Sequence, residues 1–353
     1  MIIGERLRGA RRAAGLSQRS LGEAAGVSAM AISKYERGLN VPGSAVLLRL
    51  AEALDVKTEY FLRPTTVALT TPSYRRRVSQ SRKEQHALLG QVQKWLERYL
   101  DVEDFFGGPP SFALPPSLER RVTSLEEVEE VVLSLRDSWD LGRSAIESLV
   151  EVLDDQGVKV GLVDAGEDFD ALTLWANEAI PVIVVKRGVP GDRQRFNLAH
   201  ELGHLVLETG EGVNAEKAAH RFAGAFLVPE DVVRFELGDQ RHALDLYELH
   251  LLKHKYGLSM QAWIHRAEDL GIISKPAATR LYRLFRQHGW HRQEPGDPIP
   301  PEEPGRMKRL VMRALVEDVI SQSRAAELLG MPLTEFWQEE AKQHDWSPAA
   351  VRG

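Results

Sequence analysis

The chain has 353 residues, 43% hydrophobic and 27% charged, which is typical of a folded globular protein with room for two or three domains. Its net charge of −6 excludes a protein that binds nucleic acid over its whole surface. It has no cysteine, so disulfides and thiolate metal sites are excluded. We find no signal-peptide pattern and no apolar run of membrane-spanning length, and therefore expect a cytoplasmic protein with no membrane partner.

The charge is unevenly distributed along the chain. Residues 1–64 hold ten Arg and Lys against six Asp and Glu, a net charge of +4, so the remainder carries −10. A basic end on an acidic body predicts a nucleic-acid-binding module attached to a domain with another task.

Residues 3–62 have the pattern of a helix-turn-helix. Ser17 and Ser28 stand where a hydroxyl caps a helix, and Gly26 begins the turn between the two helices. The side chains predicted to face the core are Leu21, Ala25 and Ile32.

This segment resembles the XRE family, the phage-repressor type of DNA-binding domain. The resemblance is carried by Gln18, Leu21, Ala24, residues 26–28, Ile32, Ser33, residues 36–38, Pro42 and residues 50–56. It implies a five-helix lambda-repressor-like domain over residues 1–64, which binds a double-stranded operator with the helix after Ser28 in the major groove. Proteins of this type act in pairs on two half-sites, so we expect a homodimer.

The resemblance also implies which residues contact DNA: Gln18, Ser28, Ala29, Met30, Ser33, Lys34 and Arg37. Gln18, Arg37 and the helix N-termini are expected at phosphates, and Ala29, Met30, Ser33 and Lys34 at base edges. Because Ala29 and Met30 are short or apolar, thymine methyl contacts or DNA shape are expected to supply part of the specificity.

Residues 65–117 are predicted to be linker segments around an amphipathic helix whose apolar stripe runs from Leu88 to Leu100. Two interpretations of this helix stay open: it forms a dimer contact, or it packs on the domain that follows.

Residues 118–290 are predicted to form an α+β domain. Two helices precede three strand-like runs, of which the second and third form a hairpin at Glu178–Ala179, and further helices follow. We expect a strand such as Ile180–Val185 to lie at the sheet edge, where it can pair with an extended substrate.

The stretch His200-Glu201-Leu202-Gly203-His204 lies in the first of these further helices and has the pattern HExxH. Residues four apart share a helix face, so His200 and His204 offer two imidazoles to one metal ion, with Glu201 beside them as a general base. A third ligand is expected, because catalytic zinc usually has three, and Glu216 on the next helix is the candidate. The alternative is that the two histidines serve only as core or surface residues.

The run 195–208 followed by 216–229 resembles the two central motifs of the ImmA/IrrE family of metallopeptidases. The resemblance implies a zincin-like fold, Zn²⁺ held by His200, His204 and Glu216, and Glu201 as the general base; Mn²⁺ and Fe²⁺ are the alternatives to zinc. The chain has His220 where the family often has Asn or Asp. Candidates for orienting a ligand or stabilising an oxyanion are His220, Arg195, Tyr247 and His250.

Residues 291–305 are rich in proline and are predicted to be a linker, and residues 306–353 to form a helical C-terminal element. That element repeats the helix-turn-helix pattern at Gly330 and Phe336, but its second helix carries Glu335, Glu339 and Glu340, which would repel phosphates. We therefore expect it to bind protein or to dimerise; it also has a weak resemblance to small helical segments of bacterial antitoxins.

These features predict a DNA-binding transcriptional regulator with a zinc-dependent endopeptidase domain. In the ImmA/IrrE family the substrates are typically repressors, which implies cleavage of a regulatory protein, or self-cleavage in the linker at 64–83. The alternative is a repressor or antitoxin that does not cleave, whose metal-binding domain senses a signal or holds a toxin-like partner.

Overall fold

The computed structural model describes residues 2–56, 58–62, 67–70 and 82–344, so most of the linker at 64–83 lies outside the described residues. The chain divides into two compact units. Unit 1 comprises residues 1–110, 175–179 and 305–353, and unit 2 comprises residues 111–174 and 180–304.

Helices dominate both units, which confirms the predicted mainly helical fold with a small sheet. In chain order the helices are α1 (Ile2–Ala13), α2 (Gln18–Ala25), α3 (Ala29–Glu36), α4 (Ser44–Ala53), α5 (Arg82–Asp104), α6 (Glu127–Ser138), α7 (Leu149–Asp155), α8 (Gly191–Val206), α9 (Ala215–Leu227), α10 (Glu230–Leu237), α11 (Leu246–Tyr256), α12 (Met260–Asp269), α13 (Lys275–Gln287), α14 (Arg306–Val316), α15 (Gln322–Leu329) and α16 (Leu333–His344). The strands are β1 (Leu69–Thr70), β2 (Arg121–Val122), β3 (Lys159–Val163), β4 (Ala171–Ala176), β5 (Ile180–Lys186) and β6 (Glu208–Thr209). None of the helices in the described ranges is both long and apolar enough to cross a membrane.

The helix-turn-helix forms as predicted, with a 3-10 helix at Thr58–Leu62 as its fifth element. Ser17 Oγ accepts from Ser20 N at 2.9 Å and Ser28 Oγ accepts from Ala31 N at 3.1 Å, so each serine caps its helix. Gly26 ends α2 with a φ of 66°, a conformation that favours glycine. The three residues predicted to face the core, Leu21, Ala25 and Ile32, are fully buried.

A buried carboxylate joins the first three helices. Glu36, at the end of α3, is 4% exposed. Its Oε1 accepts from Arg11 Nε at 2.5 Å, and its Oε2 accepts from Gln18 Nε2 at 2.8 Å. A buried charge is tolerated only when it is paired and hydrogen-bonded, and both conditions are met here.

The amphipathic helix α5 packs against α1 within unit 1. A Cβ built on Gly90 would lie 2.7 Å from Ala13 Cβ, so glycine permits this close crossing. Arg6 and Glu97 form a buried ion pair between the same two helices. Burial raises the pKa of Glu97, and the Arg6 guanidinium opposes that rise.

The C-terminal half of α5 supports the C-terminal helices. Val102 shares a buried cluster with Val311 of α14 and Phe336 of α16. Arg324 Nη2 reaches Asp101 Oδ2 at 2.8 Å, which fixes α15 to α5. The structure thus gives α5 its packing partners within unit 1, where α14 to α16 use one half of it and α1 the other.

The sheet places β5 between β4 and β3. β3 and β5 are parallel, with Lys159 opposite Val182, and the hairpin between β4 and β5 turns at Asn177 and Glu178, both with positive φ. The expectation that Ile180–Val185 lies at the sheet edge is therefore wrong: β5 has a hydrogen-bonded neighbour on each side. In unit 1, β1 pairs antiparallel with the last two residues of β4.

The proline-rich segment 291–304, expected to be a linker, instead docks on unit 2, and we call it the strap. Gly191 N donates to Ile299 O at 2.8 Å. The Gln194 side chain bonds both main-chain groups of Glu302, at 2.7 and 2.9 Å. The Glu302 carboxylate accepts from Val150 N at 2.8 Å and forms an ion pair with Arg195. The strap therefore anchors the N-terminal end of α8.

A second strap glutamate anchors another helix start. Glu294 accepts from Met260 N and Gln261 N, each at 3.0 Å, at the beginning of α12. Lys253 Nζ lies 3.0 Å from Glu294 and 3.1 Å from Asp192 of α8, so one buried lysine links the strap to the same helix.

We expect Glu36→Gln to destabilise the helix-turn-helix by about 3 kcal/mol, because breaking a buried pair leaves the Arg11 guanidinium without its countercharge. Hydrogen–deuterium exchange of peptides from α1 to α3 in the full chain measures this loss. Glu23→Gln is the control: it removes an exposed partner of Arg19 and is expected to change protection by less than about 1 kcal/mol. Equal effects of the two substitutions would contradict the assigned role of Glu36.

Candidate metal centre and nucleic-acid interface

The candidate metal ligands come together where α8 and α9 cross. A Cβ on Gly203 would lie 3.1 Å from the Cβ and ring of Phe222, closer than ordinary van der Waals contact. Glycine at this position therefore permits the two helices to approach. Small buried residues on α9, Ala219 and Ala223, continue the same contact face. Asn214 caps α9, its Oδ1 accepting from Lys217 N at 3.0 Å, so Glu216 lies in the first turn.

His200, His204 and Glu216 converge at this crossing, with ligand atoms that all lie within 4.8 Å of one another. The two Nε2 atoms are 3.1 Å apart. His200 Nε2 lies 3.5 Å from Glu216 Oε2, and His204 Nε2 lies 3.8 Å from Glu216 Oε1. The side chain of His204 is 6% exposed and that of Glu216 is 42% exposed, so the cluster opens to solvent on the Glu216 side.

The three donors fit a divalent metal ion. In a tetrahedral zinc site with bonds of about 2.0–2.1 Å, the ligand atoms lie about 3.3 Å apart, close to the separations seen here. Two imidazole nitrogens and one carboxylate oxygen are a donor set that zinc accepts, and they leave one position for water or substrate.

A residue of strand β4 holds the carboxylate of Glu201. It is 6% exposed, and its Oε2 accepts from Thr173 Oγ1 at 2.5 Å. Thr173 lies on β4 and is fully buried. A hydroxyl that donates to one carboxylate oxygen fixes the orientation of the carboxylate. The HExxH pattern gave no indication of this contact, because Thr173 precedes Glu201 by 28 positions.

His220 lies beside the cluster. Its ring centroid is 4.8 Å from that of His200 and 5.4 Å from that of Phe196. Desolvation lowers the pKa of His220, and the Glu216 carboxylate opposes that shift. A neutral imidazole in this position is suited to orient a ligand or to contact a substrate carbonyl.

The other three candidates for that role, Arg195, Tyr247 and His250, have different surroundings. Arg195 is 5% exposed, and its guanidinium donates to Ile146 O at 2.7 Å and pairs with Glu302 of the strap. Tyr247 is 69% exposed on α11, where its ring faces that of His250. Among the contacts of the described residues, none of these three touches His200, His204 or Glu216, whereas the ring of His220 packs against His200.

The outer face of α3 carries the residues expected at DNA. Met30 is 67% exposed, and Lys34 and Arg37 are exposed beside it. Arg37 Nε donates to Ser33 O at 3.2 Å, which holds its guanidinium near the helix end. Ala29 is also exposed, so this face of α3 meets solvent along its length.

Two of the expected contacts have structural partners within the domain. Ser28 caps α3 through its hydroxyl, and Gln18 donates its amide to the buried Glu36. Their contacts with phosphate stay predictions. The role of Glu36 was missed from the sequence, since nothing in a single chain distinguishes a buried glutamate at a helix end from a solvated one.

Two family models match the chain. Residues 7–61 match the family described as helix-turn-helix, and residues 153–268 match the family described as IrrE N-terminal-like domain, the M78 peptidases. The second match covers β3 to β5, Glu201 and the three candidate metal ligands.

Curated relatives support the first match. The chain is 42% identical over 61 residues to the uncharacterized HTH-type transcriptional regulator y4aM of Sinorhizobium fredii, which is 17% of this chain and 43% of that protein. It is 40% identical over 63 residues to y4wC of the same organism, covering 18% of this chain and 44% of the relative. Repressor protein C2 of Salmonella phage P22 is 39% identical over 62 residues, 18% of this chain and 29% of the repressor. The chain spans less than half the length of each of these relatives.

We expect Gly203→Val to separate α8 from α9 and to destabilise unit 2 by about 1–3 kcal/mol, as overpacking of a core does. Metal affinity is expected to fall with it, because Glu216 moves away from the histidines. Gly166→Val is the control, since a Cβ there meets nothing within 4 Å. Thermal unfolding and metal titration measure both effects, and a Gly203→Val protein with unchanged metal affinity would contradict the packing argument.

Protein purified without added metal is expected to contain close to one equivalent of zinc, and Glu216→Ala is expected to lower the zinc affinity by about 10- to 100-fold or more. Elemental analysis followed by competition with a chromophoric chelator gives both values. Glu211→Ala removes an exposed acidic residue five positions earlier and is expected to keep the metal. Equal zinc retention by the two variants would remove Glu216 from the ligand set.

Proposed function

Because the chain joins a helix-turn-helix DNA-binding domain to a domain of the M78 metallopeptidase family, we propose that it is a transcriptional regulator that is also a zinc-dependent endopeptidase. The substrate we assign is a regulatory protein such as a repressor, or the chain itself. The observation that carries this proposal is the convergence of His200, His204 and Glu216 next to the carboxylate of Glu201. The place of action we assign is the cytoplasm, where the DNA target is.

The residues that would hold the metal are His200, His204 and Glu216, and zinc is the ion that this donor set favours over manganese or iron. When bound, the ion would supply Lewis-acid activation of the attacking water and of the scissile carbonyl. The open side at Glu216 is where we place the entry of substrate.

The proton transfers belong to Glu201. Thr173 donates to Oε2 of Glu201 and orients the carboxylate, which we assign to accept the proton of the attacking water. The same carboxylate then delivers that proton to the leaving amine. Of the four candidates for stabilising the oxyanion or orienting a ligand, His220 has its ring against His200, and we assign the role to it.

The DNA-binding half of the proposal rests on α3. We assign Ala29, Met30, Ser33 and Lys34 to the major groove and Arg37 to a phosphate. A side chain without hydrogen-bonding groups, as at Met30, reads thymine methyls or DNA shape rather than a donor and acceptor pattern. Two half-sites on an operator would require a homodimer, which belongs to the same proposal.

The surroundings of Glu201 are compatible with a second candidate function as well. Glu201 is 6% exposed and restrained by Thr173, as expected of a structural carboxylate as well as of a general base. The second candidate is a DNA-binding repressor or antitoxin that does not cleave, whose metal domain senses a signal or holds a protein partner.

Glu201→Gln separates the two functions. We expect it to abolish proteolysis, because an amide cannot accept the proton, while zinc content and DNA binding stay within about twofold of the native protein. The measurement is a proteome-wide comparison of new protein N-termini in cells that produce the native protein or the variant.

Lys34→Ala is the matched variant that tests the DNA-binding half of the proposal. It is expected to keep cleavage and to weaken binding to selected genomic DNA fragments by about tenfold, as loss of one groove contact does. The same new N-termini in the Glu201→Gln cells would exclude Glu201 as the base. Their absence in every sample would favour the non-cleaving function.

A further inference from the structure

A cavity of about 510 Å³ lies within unit 1, beside the helix-turn-helix. Its walls are α1, the 3-10 helix, residues 67–69, Asn177 and the N-terminal half of α5. Cavities of about 300–1,000 Å³ are the size that small-molecule ligands occupy. The cavity lies away from the outer face of α3, and neither family match describes it.

The cavity has a net positive lining. Arg6 is balanced by its buried ion pair with Glu97. Glu5 supplies the one carboxylate of the lining, which also holds Arg8 and Arg12. Arg8 Nε lies 4.0 Å from the Glu36 carboxylate as well, which already pairs with Arg11. His86 adds a further nitrogen ligand or donor. Arg12 and Glu5 are exposed, so these charges lie at the mouth of the cavity rather than in its depth.

The inner wall is apolar or aromatic. Leu69 and Leu89 line it, together with the ring of Tyr60, over which the Arg6 guanidinium lies 4.9 Å from the centroid. Burial raises the pKa of Tyr60, so its phenol stays protonated and available as a donor. Gly9 adds no side chain, and a Cβ built there would meet only Tyr60 Oη, at 3.8 Å. A large side chain at position 9 would therefore extend into the space beside α1.

We propose that this cavity binds a small organic anion, a flat apolar group that carries one carboxylate, sulfonate or phosphate. The apolar part lies against Leu89 and Tyr60, and the anionic group meets Arg12 and Arg8 at the mouth. This inference does not rest on the peptidase proposal, since every residue that carries it belongs to unit 1.

The site is coupled to the DNA-binding helix through Arg8. Arg8 Nη2 donates to Glu36 O at 2.9 Å, at the end of α3. An anion that draws this guanidinium toward the cavity removes a hydrogen bond from the last turn of α3. Binding of the anion and binding of DNA are then linked, and each changes the affinity of the other by the same factor.

The test uses 8-anilinonaphthalene-1-sulfonate, a flat apolar sulfonate, as the probe on the full-length protein. Calorimetry and fluorescence are expected to show a saturable site with a stoichiometry of about one, and Arg12→Glu and Gly9→Leu are each expected to weaken it at least about tenfold. Leucine at position 9 fills the space and is a better helix former than glycine, so the variant is expected to fold.

Two controls match these variants. Arg19→Glu makes the same charge change on an 85% exposed side chain outside the cavity, and Gly9→Ala makes the smallest change at the same helix position. Both are expected to keep probe affinity within about threefold. No saturable binding, or binding that Gly9→Leu leaves unchanged, would overturn the proposal. If Arg12→Glu lost probe binding and Gly9→Leu kept it, the probe would be binding to an exposed cation rather than in the cavity. That result would also overturn the proposal.

Discussion

The metal centre depends on how closely α8 and α9 approach each other. The two histidines are placed by the period of α8 alone, but the carboxylate comes from a different helix, and only helix packing brings it within reach. Because a Cβ on Gly203 would press on Phe222, almost any other residue there would widen the gap by some tenths of an ångström. Ligand geometry tolerates displacements of only about half an ångström, so the glycine inside the HExxH pattern is itself part of the site.

The parts of the molecule that the sequence predicted are those governed by local rules. Helix period places His200 and His204 on one face, and short-range capping places Ser17 and Ser28. The end of α2 was predictable from Gly26, because this position has a left-handed backbone that other residues rarely adopt. The two domain types were recognisable for the same reason: their motifs lie within continuous runs of the chain, residues 18–56 and residues 195–229.

The parts that were missed depend on partners far apart in the chain. Glu36 is buried because Arg11 and Gln18 meet it, and Thr173 reaches Glu201 across a strand-to-helix contact. The central position of β5 did have a signal. Its run Ile-Pro-Val-Ile-Val-Val is apolar without alternation, as in strands covered on both faces, whereas an edge strand favours interrupting charges. The proline content of the strap predicted a linker, because proline indicates a segment without helix or strand. A segment without helix or strand can still dock on a domain, as the strap does on unit 2.

The strap also determines when unit 2 can finish folding. Glu302 bonds Val150 and Gln194, which precede it by 152 and 108 positions. A ribosome adds about 5–20 residues each second, so the HExxH helix emerges several seconds or more before the segment that anchors its first turn. Contacts of such long separation form late in folding as well as in synthesis, because the chain must close a large loop before they contribute. During synthesis, therefore, the helix that carries His200 and His204 is made before the strap that anchors its first turn.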